Sequence, residues 1–309
     1  MHTRSIGAIL HLFAERINGI APDADMYHEY IADGPNESKS DEQNPQYLLY
    51  RSLLRFFWTN DYALIDSMNR IAVQHHKSIF YGIIDLIYNH LLMHLFYIRE
   101  PERTHALNDT LLETLKTIGY LNRLKIIPPA VFVTVAELFA EQSDAVLLKQ
   151  YIELNLVKVQ PAFQKSLYHL SLGILHQTTG RFSESFSCLS QITGTDPGIT
   201  ITVKILFIQL CYEMYDDADL TRKCESVRLF VKRHTELPNL TRESIITFRR
   251  CIMQLARLRG SCCEEIEQFI TSVKNEQMVY NRHWILKKAG EINAESTLKN
   301  RFQENIILI

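Results

Sequence analysis

Residues that break regular structure are scarce here: 11 glycines and 9 prolines are spread over 309 residues. Strand-rich folds need turn residues about every ten positions, so the scarcity argues against them and favours long helices. Paired cysteines are also missing. The six cysteines (Cys188, Cys211, Cys224, Cys251, Cys262 and Cys263) form no CxxC, and most fall inside apolar helical stretches. They read as buried free thiols of a reducing compartment, which excludes a disulfide framework. No cysteine has a histidine beside it, and GxSxG, P-loop and GxGxxG patterns do not occur. Charge of one sign is not in excess either. The net charge of −2 gives no global pull toward nucleic acid or an anionic membrane.

Long apolar runs are absent too. The closest, Ile79 to Ile98, is interrupted by Asp85, Asn89, His90 and His94, so no membrane span is expected. Near the N-terminus, Arg4 precedes an apolar run from Ile6 to Phe13. His11 interrupts that run, Glu15 and Arg16 follow at once, and no small-residue cleavage site stands after it. The expected location is cytoplasmic.

What is present is helical periodicity. Residues 4–17 fit a short amphipathic helix. Ala21 to Pro45 then carries Asp23, Asp25, Glu29, Asp33, Glu37, Asp41 and Glu42 against a single Lys39. Such a segment has little apolar surface to bury, so it reads as a flexible acidic loop. Helices are expected over Gln46–Thr59, Asp61–His75, Ser78–Ile98, Thr104–Leu121, Ala130–Glu141 and Ala145–Val159, the last capped by Ser143-Asp144. The chain divides accordingly: 1–45, a short helix plus acidic loop; 46–125, an irregular helical region; 126–260, helical repeats; 261–309, capping helices.

Prolines mark the repeats. Pro128/Pro129, Pro161, Pro197 and Pro238 follow one another at 32, 36 and 41 residues (counted from Pro129), each at a break between helical pairs. A period in the thirties with two helices per unit signals a helical solenoid, in which each hairpin buries its apolar face on its neighbours. In the unit Ser166 to Gly198, Leu172-Gly173 precedes the first turn, Gly180 and Phe182 stand at the entry to the second helix, Leu189 is its large apolar residue, and Pro197 closes it. Gly173 and Ser185 are the small residues that let two helices cross closely. This unit resembles the tetratricopeptide repeat (TPR), departing from it at His169, His176, Ser185 and Ile192. Ala136 and Leu148 stand 37 residues before Gly173 and Ser185 and repeat the theme weakly.

The run from about Leu86 through Trp284 resembles a family of large, uncharacterised bacterial TPR-like helical-repeat proteins. The residues that carry this likeness are Cys211-Tyr212-Glu213-Met214, then the Arg/Lys-rich segments Arg228–Arg233 and Thr247–Ile252, then a closing helix with Trp284. The resemblance implies an all-α, right-handed α-solenoid of TPR-like hairpins with an irregular helical N-terminal part, short by the family's standard. It carries no activity.

Four clusters are candidates for chemistry. His90 and His94 share a helix face, but the pattern HLLMH lacks a metalloprotease glutamate, and a catalytic zinc needs three protein ligands. They read as amphipathic residues at the edge of a buried helix. His75-His76 falls at a helix end, where a cation complements the helix dipole. Cys262-Cys263 reads as two thiols at the start of a helix, since adjacent cysteines rarely bridge. The fourth is basic. Between Arg222 and Arg259 stand Arg222, Lys223, Arg228, Lys232, Arg233, Arg242, Arg249, Arg250, Arg257 and Arg259, with only Glu225, Glu236 and Glu243 among them. Two helices here could present one basic face to nucleic acid or an acidic partner. Alternatively they form a solvated outer face neutralised by the acidic loop. Aromatic interleaving is thin, limited to Phe230 and Phe248, which weakens a single-strand surface.

The sequence therefore points to a protein–protein interaction scaffold, with a nucleic-acid-associated or regulatory role for the helix pair 222–259 as the second reading. No catalytic, cofactor-binding or metal-ligating residue is expected, and no membrane partner.

Overall fold

The computed structural model describes residues 12, 13, 15, 44–59, 61–98, 105–142, 145–193, 196–276 and 278–307. The acidic loop over 21–43 and the cap at Ser143-Asp144 lie outside these residues, as does most of the 4–17 helix. The described residues are all-helical, with no strand among them. The elements are α1 (Pro45–Thr59), α2 (Ala63–His75), α3 (Tyr81–Ile98), α4 (His105–Thr117), α5 (Tyr120–Arg123), α6 (Pro129–Glu141), α7 (Ala145–Asn155), α8 (Pro161–Thr178), α9 (Phe182–Ser190), α10 (Pro197–Glu213), α11 (Asp217–Arg233), α12 (Asn239–Arg257), α13 (Cys263–Asn275) and α14 (Arg282–Ile307).

Four of the described helices open on proline: Pro45, Pro129, Pro161 and Pro197 each stand first, where a missing N–H leaves no bond unmade. Pro238 immediately precedes α12. Asp196 caps α10 by accepting from the backbone N–H groups of Gly198 (2.8 Å) and Ile199 (3.3 Å). Helix ends follow equally local causes. At the end of α8, Gly180 takes φ 71° while the Arg181 N–H reaches back to the His176 carbonyl at 2.8 Å. This is a Schellman closure around a left-handed residue.

Three expected helices are shorter than their periodicity suggests. The Thr104–Leu121 pattern breaks at Thr117, because Gly119 adopts φ 63° and turns Tyr120 inward. There its hydroxyl donates to Asn89 Oδ1 at 2.9 Å. The Ala145–Val159 pattern ends at Asn155, whose side-chain amide donates to the Tyr151 carbonyl, and a single 3₁₀ turn, Leu156–Lys158, follows. Helix α3 starts at Tyr81, since the Ser78 hydroxyl is engaged by the His75 carbonyl ending α2.

The described residues divide into two compact units, the first running to Leu210 without Ile98 and the second holding Ile98 and the residues from Cys211 onward, so that one boundary falls inside α10. In the first, α1 packs on α2, α2 on α4, α4 on α6, and α8 on α6, α7 and α9. Its core is built from the apolar faces those periodicities define, including Phe56, Phe57, Tyr88, Tyr120 and Phe132, all essentially without exposure. Full burial of such side chains contributes about 2–3 kcal/mol each before conformational entropy is subtracted. In the second unit α11 packs on α12, α12 on α14 and α13 on α14. Phe248, Phe269, Ile252, Leu255 and Ile285 are buried there, and Trp284 sets its ring edge-on to Tyr212 at 5.4 Å.

Within the first unit, α8 and α9 form the hairpin that the sequence motif marks. A Cβ on Gly173 would stand 2.6 Å from Leu189 Cδ2, so the crossing leaves no room for one. Ser185 is fully buried and its hydroxyl donates to the Gly173 carbonyl at 2.7 Å. Phe186 on α9 meets Phe207 on α10 edge-to-face at 5.0 Å.

Candidate interaction surface on the basic hairpin

Helices α11 and α12 carry nine of the ten basic residues, and Arg259 follows the end of α12. Helix α11 begins with an Asp216 cap, whose carboxylate accepts from the Asp219 N–H at 2.9 Å, and places Asp217 and Asp219 in its first turn. Carboxylates there complement the positive helix end, and cations gather in the last turn as Lys232 and Arg233. Helix α12 buries Ile245, Phe248, Ile252 and Leu255 at helical spacing, exposes Arg250 and Arg257 and leaves Arg242 and Arg249 half-buried.

The fold brings carboxylates to this face from beyond the basic stretch. Arg222 pairs with Asp219 at 2.8 Å. Arg228 forms a fork with Glu225, its Nε and Nη2 both donating, and Arg249 approaches the same carboxylate at 4.0 Å. These contacts hold the Glu225 carboxyl below the usual range, the Arg228 hydrogen bonds leading. Arg250 pairs with Glu276, which the chain supplies from the end of α13. His234 contacts Glu236 at 2.5 Å, which holds the Glu236 carboxyl low.

Arg259 is fixed most firmly. Its guanidinium lies 4.1 Å from the Tyr212 ring centre and 4.2 Å from that of Tyr215, donates to the Tyr212 carbonyl at 2.5 Å, and pairs with Asp217 at 3.0 Å. It braces the α10–α11 turn, in which Tyr215 takes φ 56° and the Asp216 N–H bonds the Cys211 carbonyl. This is the closure seen at Gly180 with a tyrosine in the left-handed position, a placement that costs about 1 kcal/mol.

The cations that remain are fewer than the sequence count. Lys232, Arg233 and Arg257 are exposed and make no ion pair among the described residues. Arg242 has no carboxylate partner either, its Nη2 donating to Asn239 Oδ1. Between the helices lies a shallow groove of about 380 Å³, lined by Arg228, Val231 and Lys232 of α11 and by Asn239, Arg242, Glu243 and Ile246 of α12. The lining residues recur at i, i+3 and i+4 on both helices, so each contributes one stripe.

The other three candidates resolve simply. His94 is fully buried against Phe56 and Phe57, with ring centres 5.0 and 5.3 Å away. His90 bonds the Leu86 carbonyl through Nδ1 at 2.7 Å and meets Phe13 edge-on. Among the described residues, no group of three or more His, Cys, Asp and Glu is placed to hold a metal ion. His75 closes α2, and His76 Nδ1 bonds the Val73 carbonyl at 2.9 Å. Cys262 caps α13 and is exposed, whereas Cys263 lies 3.5 Å from the hydroxyls of Ser296 and Thr297. All six cysteines are free thiols, with Cys211, Cys224 and Cys251 buried. No described helix is long and apolar enough to cross a membrane.

Residue-type reading missed the Tyr212–Arg259–Tyr215 stack and the carboxylates Asp217, Asp219 and Glu276. The Asp216/Asp219 spacing at a helix start was a visible capping signal; the cross-hairpin pairing had no local one. In comparisons with known proteins, no family model, no curated protein and no solved structure matches the chain.

Proposed function

We propose that the chain is a protein–protein interaction scaffold of the TPR-like type, a right-handed α-solenoid of stacked helical hairpins acting in the cytoplasm. The observation that carries this reading is the α8–α9 hairpin. Its Gly173–Leu189 contact and its Ser185–Gly173 hydrogen bond make a close crossing of two helices, which supports a helical-hairpin repeat of this kind. Successive helices joined by short turns favour the same reading, because stacked hairpins create extended surfaces suited to holding other chains.

The second reading assigns α11 and α12 to nucleic acid. Pairing of Arg222, Arg228, Arg249, Arg250 and Arg259 with carboxylates weighs against it, since each neutralised cation is one fewer phosphate contact. The test is affinity capture of the tagged chain from its native lysate, with and without nuclease, read by mass spectrometry. A small set of proteins retained after nuclease is the expected result. Partners that vanish with nuclease would overturn the scaffold reading in favour of the basic face.

A further inference from the structure

We infer that the groove between α11 and α12 binds a short acidic segment of a partner protein, seating an apolar side chain of that segment against Val231 and Ile246. This inference rests on the scaffold reading and names the chemistry of its partner. Three features of the groove support it.

The first is charge. Lys232 on one wall and Arg242 on the other have no carboxylate partner among the described residues, and they face the same groove across the hairpin. A carboxylate entering the groove can accept charge-assisted hydrogen bonds from the Lys232 ammonium and from the outer edge of the Arg242 guanidinium. Arg228 stands one turn from Lys232 on the same wall, already engaged by Glu225.

The second is the apolar strip. Val231 is buried at the base, while Ile246 is 49% exposed on the wall. An isoleucine held half open beside two uncompensated cations suits a peptide that alternates acidic and apolar side chains. The third is what disfavours a nucleic-acid strand. No aromatic side chain lines the groove for base stacking. The next unpaired cation on α12, Arg257, lies about 22 Å further along the helix axis than Arg242, so the free charges form no continuous track.

The test measures binding of the full chain to a fluorescein-labelled octapeptide of glutamates with one central leucine, by fluorescence anisotropy. The comparison probes are the same peptide with glutamine for glutamate and a labelled single-stranded DNA oligonucleotide. Lys232→Glu reverses one groove cation at an exposed position with no internal partner, and Arg257→Glu makes the same charge change outside the groove. Circular dichroism verifies that both variants stay folded. The expected result is that the acidic peptide binds, that Lys232→Glu weakens it by about tenfold or more, and that Arg257→Glu changes it less than about twofold. Ile246→Ser is expected to weaken it by severalfold.

No binding of the acidic peptide, equal weakening by both charge reversals, or DNA binding as tight as peptide binding would each overturn the inference. Capture from lysate separates its failure from that of the scaffold reading. Protein partners retained equally by the wild type and Lys232→Glu would sink the groove alone, whereas the absence of any nuclease-resistant partner would sink the reading beneath it.

Discussion

The Ser185 hydroxyl donates to the Gly173 carbonyl at 2.7 Å across the α8–α9 crossing, in full burial. The bond and the absent Cβ at Gly173 are two parts of one close approach. Gly173→Leu must displace Leu189, whose Cδ2 already stands 2.6 Å from where a Cβ would lie, and overpacking of this kind costs about 3 kcal/mol. Ser185→Ala removes only the hydrogen bond and is expected to cost about 1 kcal/mol. Urea unfolding of both variants against the wild type checks the order of the two.

Arg259 offers a second test in the other unit. Arg259→Ala removes two ring contacts and two hydrogen bonds that brace a tyrosine in the left-handed region, and is expected to lower stability by about 2 kcal/mol. Arg259→Lys should recover little, because an ammonium has no planar fork to stack between Tyr212 and Tyr215. Chemical denaturation of the three proteins measures the difference.

Lys288 is largely enclosed with Glu213 at 2.8 Å and Glu291 at 2.9 Å. Burial pulls its pKa down, yet the hydrogen bonds it donates to these two carboxylates outweigh that, and the net shift is upward. A raised lysine stabilises the fold fully below its unfolded pKa of about 10.4 and loses that contribution as pH rises through the folded value. Lys288→Met is expected to destabilise by about 3 kcal/mol at neutral pH by leaving Glu213 unpaired. The double variant Glu213→Gln with Lys288→Met should recover part of that loss, which thermal melts at neutral pH can read.

The thiols should separate by exposure. Burial, reinforced by Asp219, pushes Cys211 up to about 11, and burial pushes Cys224 up to about 12. At pH 8 both are held as unreactive thiols, so a disulfide reagent should label exposed Cys262 first and leave Cys211, Cys224 and Cys251 untouched until denaturant is added. The sign of the linkage follows from the raised values. Stability is unaffected by these two groups below about pH 8.5, the ordinary thiol value, and falls as pH climbs from there toward 11–12. Titration of the melting temperature across that window, with Cys224→Ala as comparison, checks it.

Much of the helical fold was legible because its determinants are local. Pro129, Pro161 and Pro197 each open a helix where their missing N–H does no harm, and the apolar periodicities of α1, α2 and α6 match the faces they bury. The Gly173/Ser185 crossing could be read because small residues at that spacing have one common use. The break at Gly119 could not: leucine periodicity continues through it, and only the tertiary bond from Tyr120 to Asn89 shows why the chain turns. Nor was the neutralisation of the basic hairpin visible. Asp217 reaches Arg259 over 42 residues and Glu276 reaches Arg250 over 26, separations that a count of charges within one stretch passes over.

The close crossing itself is tested most directly by a double-mutant cycle of Gly173→Ala and Leu189→Ala, with urea unfolding of all four proteins. Alone, Leu189→Ala should cost about 3 kcal/mol as a cavity in the core. In the wild-type background Gly173→Ala meets the Leu189 side chain, so its helix-propensity gain of up to about 1 kcal/mol is lost to the clash. With Leu189 shortened the clash disappears and the same substitution becomes stabilising, giving a coupling of at least about 1 kcal/mol. Additivity of the two substitutions within about 0.5 kcal/mol would contradict the close crossing and, with it, the observation on which the repeat reading stands.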